Sequence, residues 1–385
     1  MSLLEEVKRE IHQLNPSAMA QAKARWDSIA KPLNSLGLLE EDLIRIAGIT
    51  GSSDISLKKK AVAIFCSDNG IVEEGVTQTG QEVTAVVTEN ISHGNSCVCI
   101  MAKQAGAHVF PVDMGVNGDL SGYGEFREGS DSLVCTGDGN RGDASAEEAS
   151  EILYPIWNRK LMYGTRNFTK EPAMERETAV TAVETGIRLA GKLKKRGFEI
   201  IATGEMGIGN TTTSSAVAAA LLEADPKLVT GRGAGLSLEG FKRKQEVIRA
   251  GLLTWRPDPK DGIDVLSKVG GLDLAGLAGI FIGGMRYRIP VAADGLISLA
   301  AALAAERICP GTKEFLLASH MPAEPAGEML LDALGAKPLI YGKLCLGEGT
   351  GAVALFPLLD MAAAVYQEMS TFSQIQIEEY QPFTE

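Results

Sequence analysis

The chain predicts an α/β fold: a parallel sheet with helices on both faces. Two observations carry this. Short apolar runs recur along the middle of the sequence and end in Gly- or Asp-bearing loops, and helical stretches follow most of them, an alternation that specifies a parallel sheet covered on both sides. The 43 glycines among 385 residues, with 45% hydrophobic and 22% charged residues, suit a globular α/β protein with many tight turns rather than a disordered or fibrous chain.

In chain order, residues 1 to about 50 read as helices, with Leu38, Leu39, Leu43, Ile44 and Ile46 forming an apolar face. Ala61 to Ser67 reads as a strand ending at Asp68-Asn69-Gly70, and His108 to Val112 as one ending at Asp113-Met114-Gly115. Asn117 to Ala146, rich in Gly, Asp and Ser, reads as a surface loop, either a lid or a partner contact. Phe198 to Thr203 has the apolar, β-branched character of a buried strand, and Ser214 to Ala224 is rich in Ala and Leu and reads as helix. Ile289 to Ala293 leads to Asp294-Gly295, and Glu314 to Ala318 runs into Ser319-His320. Pro338 to Leu346 reads as a further strand, ending at Gly347-Glu348-Gly349-Thr350-Gly351 before an Ala-rich run to Met369. The expected organisation is a Rossmann-like α/β substrate-binding and catalytic domain over 51–352, with a small helical lobe built from 1–50 and 353–385. Ligands of such sheets bind beyond the carboxyl ends of the strands, so these loops should converge on one cleft.

Composition excludes several function classes. A net charge of -12 repels phosphate backbones and argues against a nucleic-acid partner. Six cysteines, Cys66, Cys97, Cys99, Cys135, Cys309 and Cys345, form no Cys-x-x-Cys pair and read as reduced, mostly buried thiols. The four histidines show no His-Glu-x-x-His spacing, so no metal is expected. The acidic start Met1-Ser2-Leu3-Leu4-Glu5-Glu6 is unlike a signal peptide, and nothing reaches the roughly 18 uninterrupted apolar residues of a membrane span. The expected setting is the cytoplasm, with no membrane partner.

Gly204 to Thr213, reading Gly-Glu-Met-Gly-Ile-Gly-Asn-Thr-Thr-Thr, is the most informative stretch, because glycines, a carboxylate and a polar helix start follow a strand directly. Glycine lets the backbone approach a ligand, and the first N–H groups of a helix have no internal partner, so a phosphate can accept from them. The Walker pattern and the dinucleotide fingerprint are both absent, since Thr212 stands where the latter needs glycine. The alternative is structural: Asn210 or Thr211 capping a helix after an ordinary turn.

Two glutamates, Glu205 and Glu348, are each flanked by glycines at an expected strand end. A carboxylate in a mostly apolar cleft has its charged form destabilised, which makes it a better base near neutral pH. Leu344 and Leu346 supply such surroundings for Glu348, although an acid there also suits the amides at the start of the helix from Ala352. Spacing does not single out Lys244 in Phe241-Lys242-Arg243-Lys244, and His320 is either a ligand contact or a structural hydrogen-bonding group.

Taken together, ordered segments across nearly the whole chain resemble the nicotinate-nucleotide:dimethylbenzimidazole phosphoribosyltransferase family. They include Arg25-Trp26-Asp27, Lys31-Pro32-Leu33, Ser35-Leu36-Gly37, Asp68-Asn69-Gly70, Glu74-Gly75-Val76 and Glu82-Val83-Thr84. Further on come Gly164-Thr165-Arg166-Asn167, Pro172-Ala173-Met174, Gly204 to Thr213, Val269-Gly270-Gly271, Asp294-Gly295 and Leu346 to Ala352. The resemblance implies that nicotinate mononucleotide gives up nicotinate while a benzimidazole nitrogen attacks ribose C1 with inversion, in the lower-ligand branch of cobalamin biosynthesis. It implies Glu348 as catalytic base and Glu205 as a second active-site glutamate. By the same resemblance Gly207, Gly209, Asn210, Thr211 and Lys244 hold the nucleotide phosphate, while Thr77, Leu346 and Met206 belong to the base pocket. No cofactor is implied, and the partners are the two small-molecule substrates and a second copy in a homodimer. The chain departs from the family's pattern at Asn69, where histidine is commoner, and at Met321-Pro322, where Arg-Ser is commoner. Pro322 supplies neither hydroxyl nor amide proton, which leaves open the same reaction on adenine, another azole or a phenolic compound. A non-catalytic nucleotide sensor is the reading from another class.

Overall fold

A computed structural model describes residues 2–10, 12–123, 152–233 and 235–380. The expected surface loop after Tyr123 lies outside the described residues, as does Cys135.

Six strands form the sheet: β1 (Lys60–Ser67), β2 (Ala107–Gly115), β3 (Trp157–Asn158), β4 (Ile200–Met206), β5 (Val291–Ala293) and β6 (Leu316–Ala318). All neighbours pair in parallel, in the order β3, β2, β1, β4, β5, β6. Val62 on β1 sits opposite Val109 of β2 and Ala202 of β4, so the long strand at the centre is paired on both edges. The strand order reverses direction between β1 and β4. There the connecting segments leave on opposite sides, which opens a crevice beyond the carboxyl ends.

β1 shows why both faces must be covered, since all eight of its residues are buried. Ala61, Ala63 and Phe65 join one core cluster, with the helices Arg176–Lys195, Leu272–Tyr287 and Leu296–Ile308. Val62, Ile64 and Cys66, alternating with them, join the other, with Trp26, Leu43 and Ile46 from the N-terminal helices and Val353, Phe356 and Leu359 from the helix Thr350–Glu368. This period of two, buried on each side, is the pattern of a central parallel strand. Both terminal segments thus cover the second face of the sheet, while Leu4 and Val7 reach the first, where the Leu4 N–H donates to Glu184. Thr350–Glu368 is long and apolar enough to cross a membrane, but more than half of it is buried in this layer.

Two expectations need correction. β4 runs through Glu205 and Met206, so the glycine-rich turn shrinks to Gly207–Gly209 and the following helix starts at Asn210 instead of Ser214. The strand continues because Gly204 and Glu205 pair with Ile64 and Phe65. Pro338 to Leu346 is not a strand. Its one bridge is Ile340 to His320, beyond the short edge strand β6, and Lys343 turns the chain with a φ of 53°. Leu344 and Leu346 face a cavity rather than a sheet partner, a use of apolar residues that composition does not distinguish from a strand. Of the cysteines among the described residues, Cys66, Cys99 and Cys309 are buried and free, whereas Cys97 and Cys345 are exposed.

Candidate active site

Beyond the carboxyl ends of β4, β5 and β6 lies a cavity of about 230 Å³. β4 and its turn contribute Glu205, Met206, Gly207, Ile208, Asn210 and Thr211. Asp294 to Ile297 follow β5, His320 and Glu324 follow β6, and Leu344 to Glu348 close the far side. One short turn, with Gly209 at a φ of 93°, passes from strand to helix. Behind it, the buried Asn69 binds the end of β1 to this turn: its Nδ2 donates to the Ser67 and Ile208 carbonyls, and its Oδ1 accepts from Thr213.

Most amides of the turn are already engaged. Ile208 donates to Thr84 Oγ1 at 3.0 Å, Asn210 to the Gly207 carbonyl, and Thr212 and Thr213 to that of Gly209. Among the described residues the N–H groups of Gly207 and Thr211 have no partner, and both residues line the cavity. Gly209 does not line it. Lys244, only 1% exposed, stands behind Thr211 and donates to its Oγ1 at 2.8 Å. Burial lowers the Lys244 ammonium to about 8, with the Glu324 carboxylate working the other way.

The carboxylates converge more closely than their spacing in sequence suggests. Glu205 is buried and accepts from the Asn210 side-chain amide. Burial first, then the nearby Asp273 and Asp294, pushes Glu205 well above the usual carboxylate range. Asp273, fully buried, is pushed up to about 7 by burial, against the Leu274 N–H and the Asn210 amide; its Oδ2 has no partner. Glu205 and Asp273 are therefore two buried acids near one amide donor, which donates to Glu205, and they cannot both ionise cheaply at neutral pH.

Glu348 sits in the left-handed region, φ 64°, between Gly347 and Gly349. The amides at the start of the last helix do not need it. Asp294 reaches across from the end of β5 and accepts from Gly349 (3.1 Å), Gly351 (2.7 Å) and Ala352 (3.1 Å). With the capping role taken, the Glu348 carboxylate is left to the cavity wall, where Oε2 is buried without a partner. Burial raises its pKa, while the Val98 N–H at the start of the helix Cys97–Gln104 lowers it. The loop is seated by backbone contact: at Gly204 on β4 a Cβ would run into the Glu348 carbonyl.

Leu346 and Met206 line the cavity beside Glu348. Thr77 does not line it; its hydroxyl donates to the Thr79 carbonyl at 2.8 Å. Among the described residues, no group of three or more His, Cys, Asp or Glu is arranged to hold a metal ion.

A family model described as phosphoribosyltransferase matches residues 11–377. The chain is 42% identical over 378 residues to the nicotinate-nucleotide:dimethylbenzimidazole phosphoribosyltransferase of Ruminiclostridium cellulolyticum, covering 98% of this chain and 99% of that one. It is likewise 42% identical, over 380 residues and 99% of both chains, to the enzyme of that name from Acetivibrio thermocellus. The chain belongs to the nicotinate-nucleotide:dimethylbenzimidazole phosphoribosyltransferase family. A solved structure from Thermus thermophilus superposes with a TM-score of 0.82 at 35% identity, over 95% of this chain and all of that one. A second from the same organism, bearing the phosphoribosyltransferase name, gives 0.81 at 34% identity.

For this phosphoribosyltransferase family member the structure adds residues that the sequence passed over. Asp294 was visible only as part of an Asp-Gly strand end, and nothing local marked it as the cap of a helix more than fifty residues on. Asp273 lies in the first turn of a helix, a common place for an acid. Glu324 gave no signal at all. His320 lines the cavity and is held by Ser319, whose Oγ lies 3.0 Å from Nδ1.

Proposed function

We propose that the chain transfers the phosphoribosyl group of nicotinate mononucleotide to 5,6-dimethylbenzimidazole, giving nicotinate and α-ribazole 5′-phosphate, the nucleotide of the cobalamin lower ligand. One observation carries this reading. A single cavity has Glu348, with an unpartnered carboxylate oxygen among Met206 and Leu346, and also Thr211 backed by the buried Lys244. The family's reaction needs an apolar slot with a base and a separate anion site, held apart by one ribose.

In this reading the phosphate accepts from the Gly207 and Thr211 amides, with the Lys244 charge behind them. The bond from ribose C1 to the pyridinium nitrogen breaks, and its electron pair returns to the ring, which leaves as neutral-ring nicotinate. The lone pair of one benzimidazole nitrogen attacks C1 from the opposite face, so configuration inverts. The other benzimidazole nitrogen loses its proton to Glu348, whose raised pKa suits it to accept one near neutral pH. Glu205, beside the sugar, orients ribose and favours the positive charge that develops at C1. A homodimer in the cytoplasm, implied by the resemblance, belongs to the same proposal.

The test is turnover of purified protein with nicotinate mononucleotide and a panel of bases: dimethylbenzimidazole, benzimidazole, adenine and phenol. The α-ribazole phosphate product is expected by mass spectrometry, and no product from any base would overturn the reading. Glu348→Gln is expected to fold normally and lose about a hundred to ten thousandfold in kcat, the usual worth of a positioned base. Near-normal turnover removes Glu348 from that role.

A further inference from the structure

One acid at the anion end of the cavity has no part in this chemistry. Glu324, on the loop between β6 and the helix Ala326–Leu334, lines the cavity together with Thr211 and Gly233. Its side chain lies against Gly231, where a Cβ would stand 3.5 Å from Glu324 Cγ. Two residues later, a Cβ on Gly233 would stand 3.5 Å from Lys244 Nζ. One short glycine-rich segment therefore has the Glu324 side chain beside its first glycine and the Lys244 ammonium beside its second. Lys244 has three N–H donors, and among the described residues its one hydrogen-bond partner is Thr211. No ion pair among the described residues reaches it, and the opposite charge that acts on it is Glu324, at longer range than a contact pair. Arg232, between the glycines, is exposed and lies over the Phe241 ring instead of against Glu324.

We propose that Glu324 is the longer-range counterion of Lys244, a carboxylate whose repulsion an incoming phosphate must overcome, which keeps free inorganic phosphate out of the nucleotide site. This rests on reading the Lys244 end as the phosphate subsite. With the cavity empty, the buried ammonium is balanced by Glu324. A phosphate that enters takes over that balance and meets Glu324 as a like charge at close range. A nucleotide offsets the repulsion through its ribose and ring, which occupy the rest of the cavity. Inorganic phosphate has nothing with which to offset it.

The experiment uses the full chain and inorganic phosphate as probe, by calorimetric titration and as an inhibitor competing with nicotinate mononucleotide. Wild-type is compared with Glu324→Gln, Glu324→Ala and Lys244→Ala. The expected result is that Glu324→Gln binds inorganic phosphate about tenfold more tightly or better, the order expected on removing one like charge from a partly buried anion site. KM for the nucleotide should fall alongside, with kcat within about threefold of wild-type. Glu324→Ala should move both constants in the same direction, so a folding defect in one variant does not decide the matter. Equal or weaker phosphate binding by both Glu324 variants, with wild-type binding intact and Lys244→Ala binding lost, overturns the counterion role alone. Wild-type protein that neither turns over the nucleotide nor binds phosphate overturns the phosphate subsite and the counterion together.

Discussion

Gly204→Ala tests how the base is positioned. A methyl at this point of β4 would run into the Glu348 carbonyl oxygen and stand 2.7 Å from its carbonyl carbon and 3.0 Å from the Gly349 nitrogen. The strand cannot recede, because Gly204 is paired with Ile64 in the centre of the sheet. Restoring an ordinary carbon contact of about 3.5 Å therefore moves the Glu348 loop outward by roughly 1 Å. Displacing a catalytic group by that distance costs about a hundredfold in rate, whereas overpacking of this kind costs about 1–3 kcal/mol in stability. Steady-state kinetics should thus show kcat down about a hundredfold, little change in KM for the nucleotide, and a protein still folded by circular dichroism. Gly122→Ala, where nothing lies within 4 Å of the added carbon, serves as the control and should behave as wild-type. A Gly204→Ala enzyme with kcat within about threefold of wild-type would refute the view that strand β4 seats the base.

Two further outcomes follow from the buried charges. Lys244 is charged below about 8 and loses its charge as pH rises through that value, so kcat/KM for nicotinate mononucleotide should fall above pH 8. Lys244→Ala should show a low, flat profile there, and a wild-type profile that stays level to about pH 10 would contradict the assignment. Asp294→Asn replaces a carboxylate that takes three backbone N–H groups by an amide with a single acceptor oxygen. It should cost about 1–3 kcal/mol, read from the urea midpoint, and lower kcat by freeing the Glu348 loop; an unchanged midpoint and rate would show that the helix start holds itself.

Much of the frame was legible in the residues. β1, β2 and β5 lie where the apolar runs end in Asp or Gly, since a buried parallel strand needs a continuous apolar run and its exit needs a turn. Less local assignments failed at definite points. Glu205 and Met206 were read as loop, because glycine before them signals a turn, yet Gly204 is there to admit the Glu348 backbone. Pro338 to Leu346 was read as a strand because it is apolar, yet its leucines wall a cavity.

What the sequence determined by itself was the layered α/β frame, a strand-to-helix turn somewhere within Gly204 to Thr213, and, through ordered motifs over nearly the whole chain, the family. What only the tertiary structure decided was which distant groups share one space: Asp294 capping the helix that carries Glu348's loop, Asn210 beside Glu205 and near Asp273, and Glu324 and Lys244 beside the same glycine-rich segment. Periodicity reports which side of an element is buried, a local property. The company a buried acid keeps depends on strand order and on how far each strand extends, and those are settled only when the whole sheet has assembled.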